Sequence, residues 1–193
     1  MKEVYAFDFD GTLTTKDTLI EFIRYAHGSA ALLWGLLCYS PLLILMKLHL
    51  YPNYKAKQRI FAHYFAGMKM EDFDKLCNKF AEYNRSLLRS GGITAIDEAI
   101  AKGVDVIVVS ASIENWVAPF FPHVTVACTK IEVTDGKLTG RFLSKNCYGQ
   151  EKVNRIAELY PDRSAYRLTA FGDSRGDKEM LDYADCRHYK PFR

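Results

Sequence analysis

Apolar and polar positions change period several times along this chain. Val4 to Phe9 is a short, nearly unbroken apolar run and reads as a buried strand. From about Asp17 to Arg89 the spacing is helical. It is clearest from Glu71 to Leu88, where Phe73, Leu76, Cys77, Phe80, Tyr83 and Leu87 recur between charges and predict one helix. Gly91-Gly92 interrupts that pattern, and Ile93, Ile96 and Ile100 are the predicted inward face of a shorter helix closed by Gly103. Val104 to Val109 is a β-branched run ending at Ser110, as expected of a parallel strand covered on both faces. Val124–Thr129 is a further strand candidate. Lys130–Leu143 reads as a hairpin turning at Asp135-Gly136, and Gln150–Tyr160 as a helix stopped by Pro161. Leu168–Gly172 is a strand, Asp177–Tyr183 a helix, and Arg187–Lys190 a candidate edge strand. Strands alternating with helices imply an α/β fold with a doubly wound parallel sheet. The long helical block is then an insertion after the first strand.

The candidate chemistry clusters where strands end. The first strand runs into Asp8-Phe9-Asp10-Gly11-Thr12-Leu13-Thr14. Period-two alternation would put Asp8 and Asp10 on one face, where two carboxylates repel unless a divalent cation, most simply magnesium, neutralises them. Ligands of open α/β sheets bind beyond the carboxyl ends of the strands. Ser110 ends a second buried strand and is the expected phosphate contact, with Ser112 the expected cap of the helix that follows. Lys152 lies near the start of a helix, where a cation opposes the dipole. It is either a solvated surface lysine or the neutraliser of a phosphate and its carboxylates. Asp173 follows the last buried strand and would complete a cation's carboxylate shell. Asp177 either caps the next helix or supports that shell.

Taken in order, DFDGTLT, VIVVSAS, GQEKV and FGDSRGD resemble the four motifs of the haloacid dehalogenase superfamily of phosphohydrolases. The helical block after the first motif resembles the cap of subfamily IB, which includes phosphoserine phosphatase. The resemblance implies a Rossmann-like core over residues 1–14 and 90–193 and a helical cap over 15–89. It implies a magnesium-dependent phosphatase working through an aspartyl-phosphate, with Asp8 as nucleophile and Asp10 as general acid/base. The ion would be held by Asp8, the Asp10 main-chain carbonyl and Asp173. Ser110 and Lys152 would bind the phosphoryl group, with Lys145 as the alternative lysine, and Asp177 and Thr12 would support the site. Dehalogenation has no use for the Asp10 and Asp173 pairing. Phosphotransfer differs only in its acceptor, and a catalytically silent binding module would be expected to lack one of the three acids.

Composition refines this. The 193 residues are 49% hydrophobic with a formal net charge of +3, too small a charge to argue for nucleic acid. Five scattered cysteines without a CxxC pair suit a reducing compartment, and a cytoplasmic location is the expectation. From Ala30 to Leu50, 16 of 21 residues are apolar, and no acid occurs between Glu21 and Glu71. Ser40-Pro41 interrupts the run and predicts a hairpin of two short helices, with Lys47, Lys55, Lys57 and Arg59 following. Three readings of the run stand: cap core or dimer contact, an apolar wall for the leaving group, and shallow membrane contact. A loosely similar cap run in phosphatidylglycerophosphatase C-like members of the superfamily implies a lipid phosphate over a soluble phosphate ester such as phosphoserine. A head-group site formed by Glu21, Arg24 and Arg59 is the alternative.

Overall fold

The computed structural model describes residues 1–48 and 50–193. Its centre is a parallel sheet in the order β3-β2-β1-β6-β7, built from β1 (Lys2–Phe7), β2 (Asp105–Ile113), β3 (Thr125–Thr129), β6 (Tyr166–Gly172) and β7 (Cys186–Tyr189). β1 is central, with Val4 opposite Asp105 on one side and Leu168 on the other. The chain first builds β2 and β3 to one side of β1, then β6 and β7 to the other. The crevice where direction reverses lies beyond the ends of β1 and β6, the position open α/β sheets use for ligands. A separate antiparallel hairpin, β4 (Ile131–Thr134) and β5 (Lys137–Phe142), turns at Asp135-Gly136.

Between β1 and β2 run α1 (Thr18–Lys47), α2 (Asn53–Phe65), α3 (Met70–Tyr83) and α4 (Ser90–Ala101). The short α5 (Glu114–Val117) follows β2, α6 (Gln150–Leu159) precedes β6, and α7 (Lys178–Tyr183) precedes β7. Aromatic packing joins the helical block to the sheet. Phe22 of α1 contacts Phe65, Phe73 and Phe80 and stacks on Trp116 of α5 at 5.0 Å, all of them fully buried. The hairpin clasps the same block: Gly67 N–H donates to Leu138 O at 2.8 Å and Phe142 N–H to Gln58 Oε1 at 3.0 Å.

Several expectations change. The predicted helix over 71–88 ends at Tyr83, and Arg85–Leu87 forms a single 3₁₀ turn, because Asn84 closes α3 with its amide on Phe80 O. Ile100 is exposed, not inward, leaving Ile96 as the buried anchor of α4. The apolar run does not fold as a hairpin at Ser40-Pro41. The helix passes through Pro41 and breaks instead at Gly28, whose φ of 83° only glycine adopts readily. Pro41 removes the donor that Leu37 O would have used, and the Ser40 hydroxyl replaces it at 2.8 Å.

Candidate active site

β1 stops at Phe7, so Asp8 and Asp10 lie in the turn beyond it and not on one strand face. Their carboxylates point to different partners. Gly11 at φ 84° reverses the chain there, and a β-carbon on it would meet Asp173 Oδ2 at 2.6 Å. Glycine is therefore required for the turn to approach the carboxylate that follows β6. Thr12, fully buried, donates its hydroxyl to Asp173 Oδ1 at 3.4 Å.

Lys152 is buried, not a surface lysine. Its Nζ donates to Asp8 Oδ1 at 2.5 Å, Asp177 Oδ1 at 2.6 Å and Val109 O at 2.8 Å. Its three N–H groups are thus satisfied. Burial alone would lower its pKa, but Asp8 and Asp177 outweigh that and raise it, so it stays protonated. Asp177 does two jobs. Its Oδ2 accepts from the Asp173 and Ser174 backbone N–H groups and the Ser174 hydroxyl, while Oδ1 holds Lys152. Burial works against its charge, yet Lys152 and those N–H donors hold its carboxyl below the usual range. Lys145, the alternative lysine, is exposed and does not reach the cluster.

Asp10 is gripped by three donors: Thr18 N–H at 2.7 Å and Thr18 Oγ1 at 2.6 Å on Oδ1, and Ser112 Oγ at 2.5 Å on Oδ2. The first places the carboxylate at the positive end of α1. Trp116 Nε1 donates in turn to Thr18 Oγ1 at 3.2 Å. Ser112 therefore does not cap a helix as expected. Ser110 Oγ accepts from Ser112 N–H at 3.1 Å, which leaves its own hydroxyl proton free to donate. Thr18, Ser112 and Trp116 were not legible as site residues. The one signal was the alternation Ser110-Ala111-Ser112, which puts two hydroxyls on one side of a strand end.

These groups occupy the polar end of a cavity of about 440 Å³. Its other end is walled by Leu32, Leu36, Leu43 and Met46 of α1 and by Ile60 and Tyr64 of α2. Between the two ends stands Lys57, whose Nζ donates to Ala111 O at 2.9 Å. The alternative head-group trio does not assemble in the cavity: Arg24 is paired to Glu21 at 2.8 Å, and Arg59 lies over the Tyr51 ring.

Asp8, Asp173 and Asp177 offer carboxylate oxygens within 4.8 Å of one another. With Asp177 committed to Lys152 and backbone donors, the open acceptors are Asp8 Oδ2 and Asp173. Burial pushes Asp8 up to about 7 against the pull of Lys152, with Asp177 and Asp10 adding to the rise, and burial raises Asp173 too. Asp173 already draws in the Arg193 guanidinium. Hard, desolvated oxygens in excess of their cations suit a small oxygen-seeking dication such as Mg²⁺.

A parallel sheet with an acid-rich switch-point crevice and a helical insertion after its first strand agrees with what sequence comparison gives. Residues 5–182 match the haloacid dehalogenase-like hydrolase family, and the chain belongs to it. It is 34% identical over 199 residues to Protein CicA of Caulobacter vibrioides (strain NA1000 / CB15N), covering 97% of this chain and 86% of that protein. Its fold is similar to that of a Bordetella pertussis Tohama I protein of unknown function (TM-score 0.83, 17% identity, 97% and 89% of the two chains). It is also similar to a phosphoserine phosphatase solved as a phospho-aspartyl intermediate analogue (TM-score 0.62, 20% identity, 96% and 85%).

Proposed function

We propose that the protein is a phosphomonoester hydrolase that works through an aspartyl-phosphate on Asp8 and accepts an apolar, lipid-like leaving group. In this reading residues 15–89 form a cap over a core of 1–14 and 90–193. The observation that carries the proposal is the buried Lys152 shared between Asp8 and Asp177 at the polar end of a cavity whose far end is an apolar wall.

Asp8, Asp173 and the Asp10 main-chain carbonyl are the groups that would hold Mg²⁺. When bound, the ion supplies positive charge that offsets repulsion between carboxylate and phosphate and stabilises charge on the transferring group. Lys152 adds a fixed cation, and Ser110 offers a hydroxyl donor to a phosphoryl oxygen. Asp8 attacks phosphorus in line as the ester P–O bond breaks, and the departing oxygen takes the proton carried by Asp10. Water then attacks the phosphorus of the acyl phosphate, Asp10 accepts its proton, and the Asp8 carboxylate is released with inorganic phosphate. Asp10 Oδ2 has one donor where Oδ1 has two, so Oδ2 keeps the lone pair for that proton.

The apolar wall supports a hydrophobic leaving group over phosphoserine: of the acid and base that line the cavity beside the carboxylate cluster, Asp17 already accepts from the Leu19 and Ile20 N–H groups and Lys57 already donates to Ala111 O. Phosphate release from an aryl phosphate and from a panel of lipid phosphates and phosphoamino acids, with and without Mg²⁺, is the test. Activity should need Mg²⁺, vanish in Asp8→Asn and favour the lipid phosphates. Turnover surviving in Asp8→Asn would reject the mechanism, and preference for phosphoserine would reject the leaving group.

A further inference from the structure

After the break at Gly28, α1 is apolar on both sides. Its inner side lines the cavity. Its outer side presents Leu33, Trp34, Leu37 and Ile44, with Leu48 just past its end, at helical spacing, each 59–66% exposed. A soluble helix normally turns a polar face to water, and one that is apolar all round is covered by something. So large a contiguous apolar surface marks an interaction site.

Charge decides the occupant. Every formal charge between Glu21 and Glu71 is positive, and Lys47 at the end of α1 and Lys55 and Arg59 of α2 are exposed. Two copies pairing through this face would bring cations together with no acid to answer them. Anionic lipid headgroups do answer them. Trp34, Tyr51 and Tyr54 are of the type that settles at the membrane–water boundary. The helix is also tied down along its inner side. Tyr64 donates its hydroxyl to Ala31 O at 2.9 Å, and Gly35 packs so closely on Tyr64 that a β-carbon would meet its hydroxyl at 1.8 Å. Lying in the surface keeps those contacts, whereas crossing the bilayer would break them.

We propose that the outer face of α1 docks on an anionic bilayer, with the helix in the headgroup plane and the mouth of the cavity at the lipid–water boundary. This docking does not depend on the phosphatase reading.

The test is flotation of the full chain with vesicles of phosphatidylcholine, with and without phosphatidylglycerol, read together with tryptophan fluorescence. Of the two tryptophans, Trp116 is fully buried and Trp34 exposed, so a lipid-induced change reports Trp34. The expected result is flotation with anionic vesicles that high salt weakens, with a blue shift and quenching by acyl-brominated lipid that Trp34→Phe abolishes. Trp34→Glu with Leu37→Glu should weaken binding at least about tenfold without changing the circular dichroism. Lys47→Glu with Lys55→Glu should remove the preference for anionic lipid. No binding to anionic vesicles would overturn the proposal. So would a stable lipid-free dimer that buries Trp34, or resistance to alkaline extraction, which indicates spanning. Hydrolysis of a soluble aryl phosphate, measured in parallel, separates the two ideas. Binding without hydrolysis rejects the phosphatase and keeps the docking, and hydrolysis without binding does the reverse.

Discussion

Replacing Lys152 by Met keeps an unbranched side chain and the helix propensity of α6 and removes the buried charge with its three N–H donors. It leaves Asp8 and Asp177 facing each other with their shared cation gone, where the Nζ contacts had been 2.5 and 2.6 Å. Orphaning buried charges in this way costs about 3–5 kcal/mol. The carboxylates have an escape, however, because they can take up protons. Asp8 is already pushed up to about 7 with Lys152 in place, and Asp177 would lose its largest downward pull. In the variant both fold with carboxyl pKa values above those of the unfolded chain. The folded state then binds more protons, and stability is lost as pH rises through the folded values. Each pH unit in that window is worth about 1.4 kcal/mol per carboxylate. Between pH 8 and pH 6 proton uptake by Asp177, which stays ionised in the parent, should therefore return up to about 3 kcal/mol of the deficit, while Asp8, which already titrates near 7 in the parent, returns less.

The assay is urea unfolding at pH 6, 7 and 8 in chelator, followed by circular dichroism, for the parent, Lys152→Met and Lys152→Met with Asp177→Asn. The deficit should be largest at pH 8, shrink toward pH 6 and be partly relieved in the double variant, where one buried carboxylate is gone. A Lys152→Met protein as stable as its parent at pH 8 would refute the reasoning. So would a deficit flat across the range, because the cluster would then not be desolvated enough to make the lysine matter.

Ser112→Ala removes one of three donors on Asp10, and a hydrogen bond to a charged group is worth about 1.5–3 kcal/mol. Phosphate-release assays should show kcat falling about 10- to 100-fold, and the thermal midpoint should fall by a few degrees. Gly35→Ala should destabilise by roughly 1–3 kcal/mol in denaturant titration, because the new methyl displaces Tyr64. In a Tyr64→Ala background the same change should be neutral or stabilising, since alanine is the better helix former. Mg²⁺ at about 100 times its dissociation constant should stabilise the parent by about 2.7 kcal/mol in thermal scans. Asp173→Asn should abolish that gain, because Asp173 supplies one of the two open carboxylate acceptors.

The sheet was legible because parallel strands covered on both faces must be written as apolar runs, and β1, β2 and β6 are. Asp8, Ser110 and Asp173 were legible because each falls at a strand end, whereas Lys152 and Asp177, at helix starts, stood open between surface or capping roles and site roles until the resemblance to the four motifs was drawn. What escaped were effects that depend on neighbours distant in sequence. The fate of Ser112 is set by Asp10, 102 positions away, not by the short helix that follows it. The break in α1 lies at Gly28 and not at Pro41 because one serine hydroxyl satisfies the carbonyl that proline orphans, a compensation that local propensity does not count. The geometry of Asp8 and Asp10 was misjudged by extending strand alternation three residues past the end of β1.

That break at Gly28 explains how one inserted helix serves two purposes. The first segment of α1 is fixed to the sheet: Phe22 is stacked on Trp116, and Thr18 is held between Trp116 Nε1 and the Asp10 carboxylate. Asp10 is thus positioned by the insertion as much as by the strand that precedes it, so a sheet deprived of α1 would keep Asp8 and lose two of the three donors on Asp10. The second segment is free of that duty. A left-handed residue between the two lets the axis change direction, and Leu32, Leu36, Leu43 and Met46 then form the wall facing the carboxylates. Polar clamp and apolar wall are consecutive in sequence and joined by a rigid helix on either side of one glycine. A change at Gly28 should therefore alter the orientation of the wall while leaving the clamp on Asp10 in place.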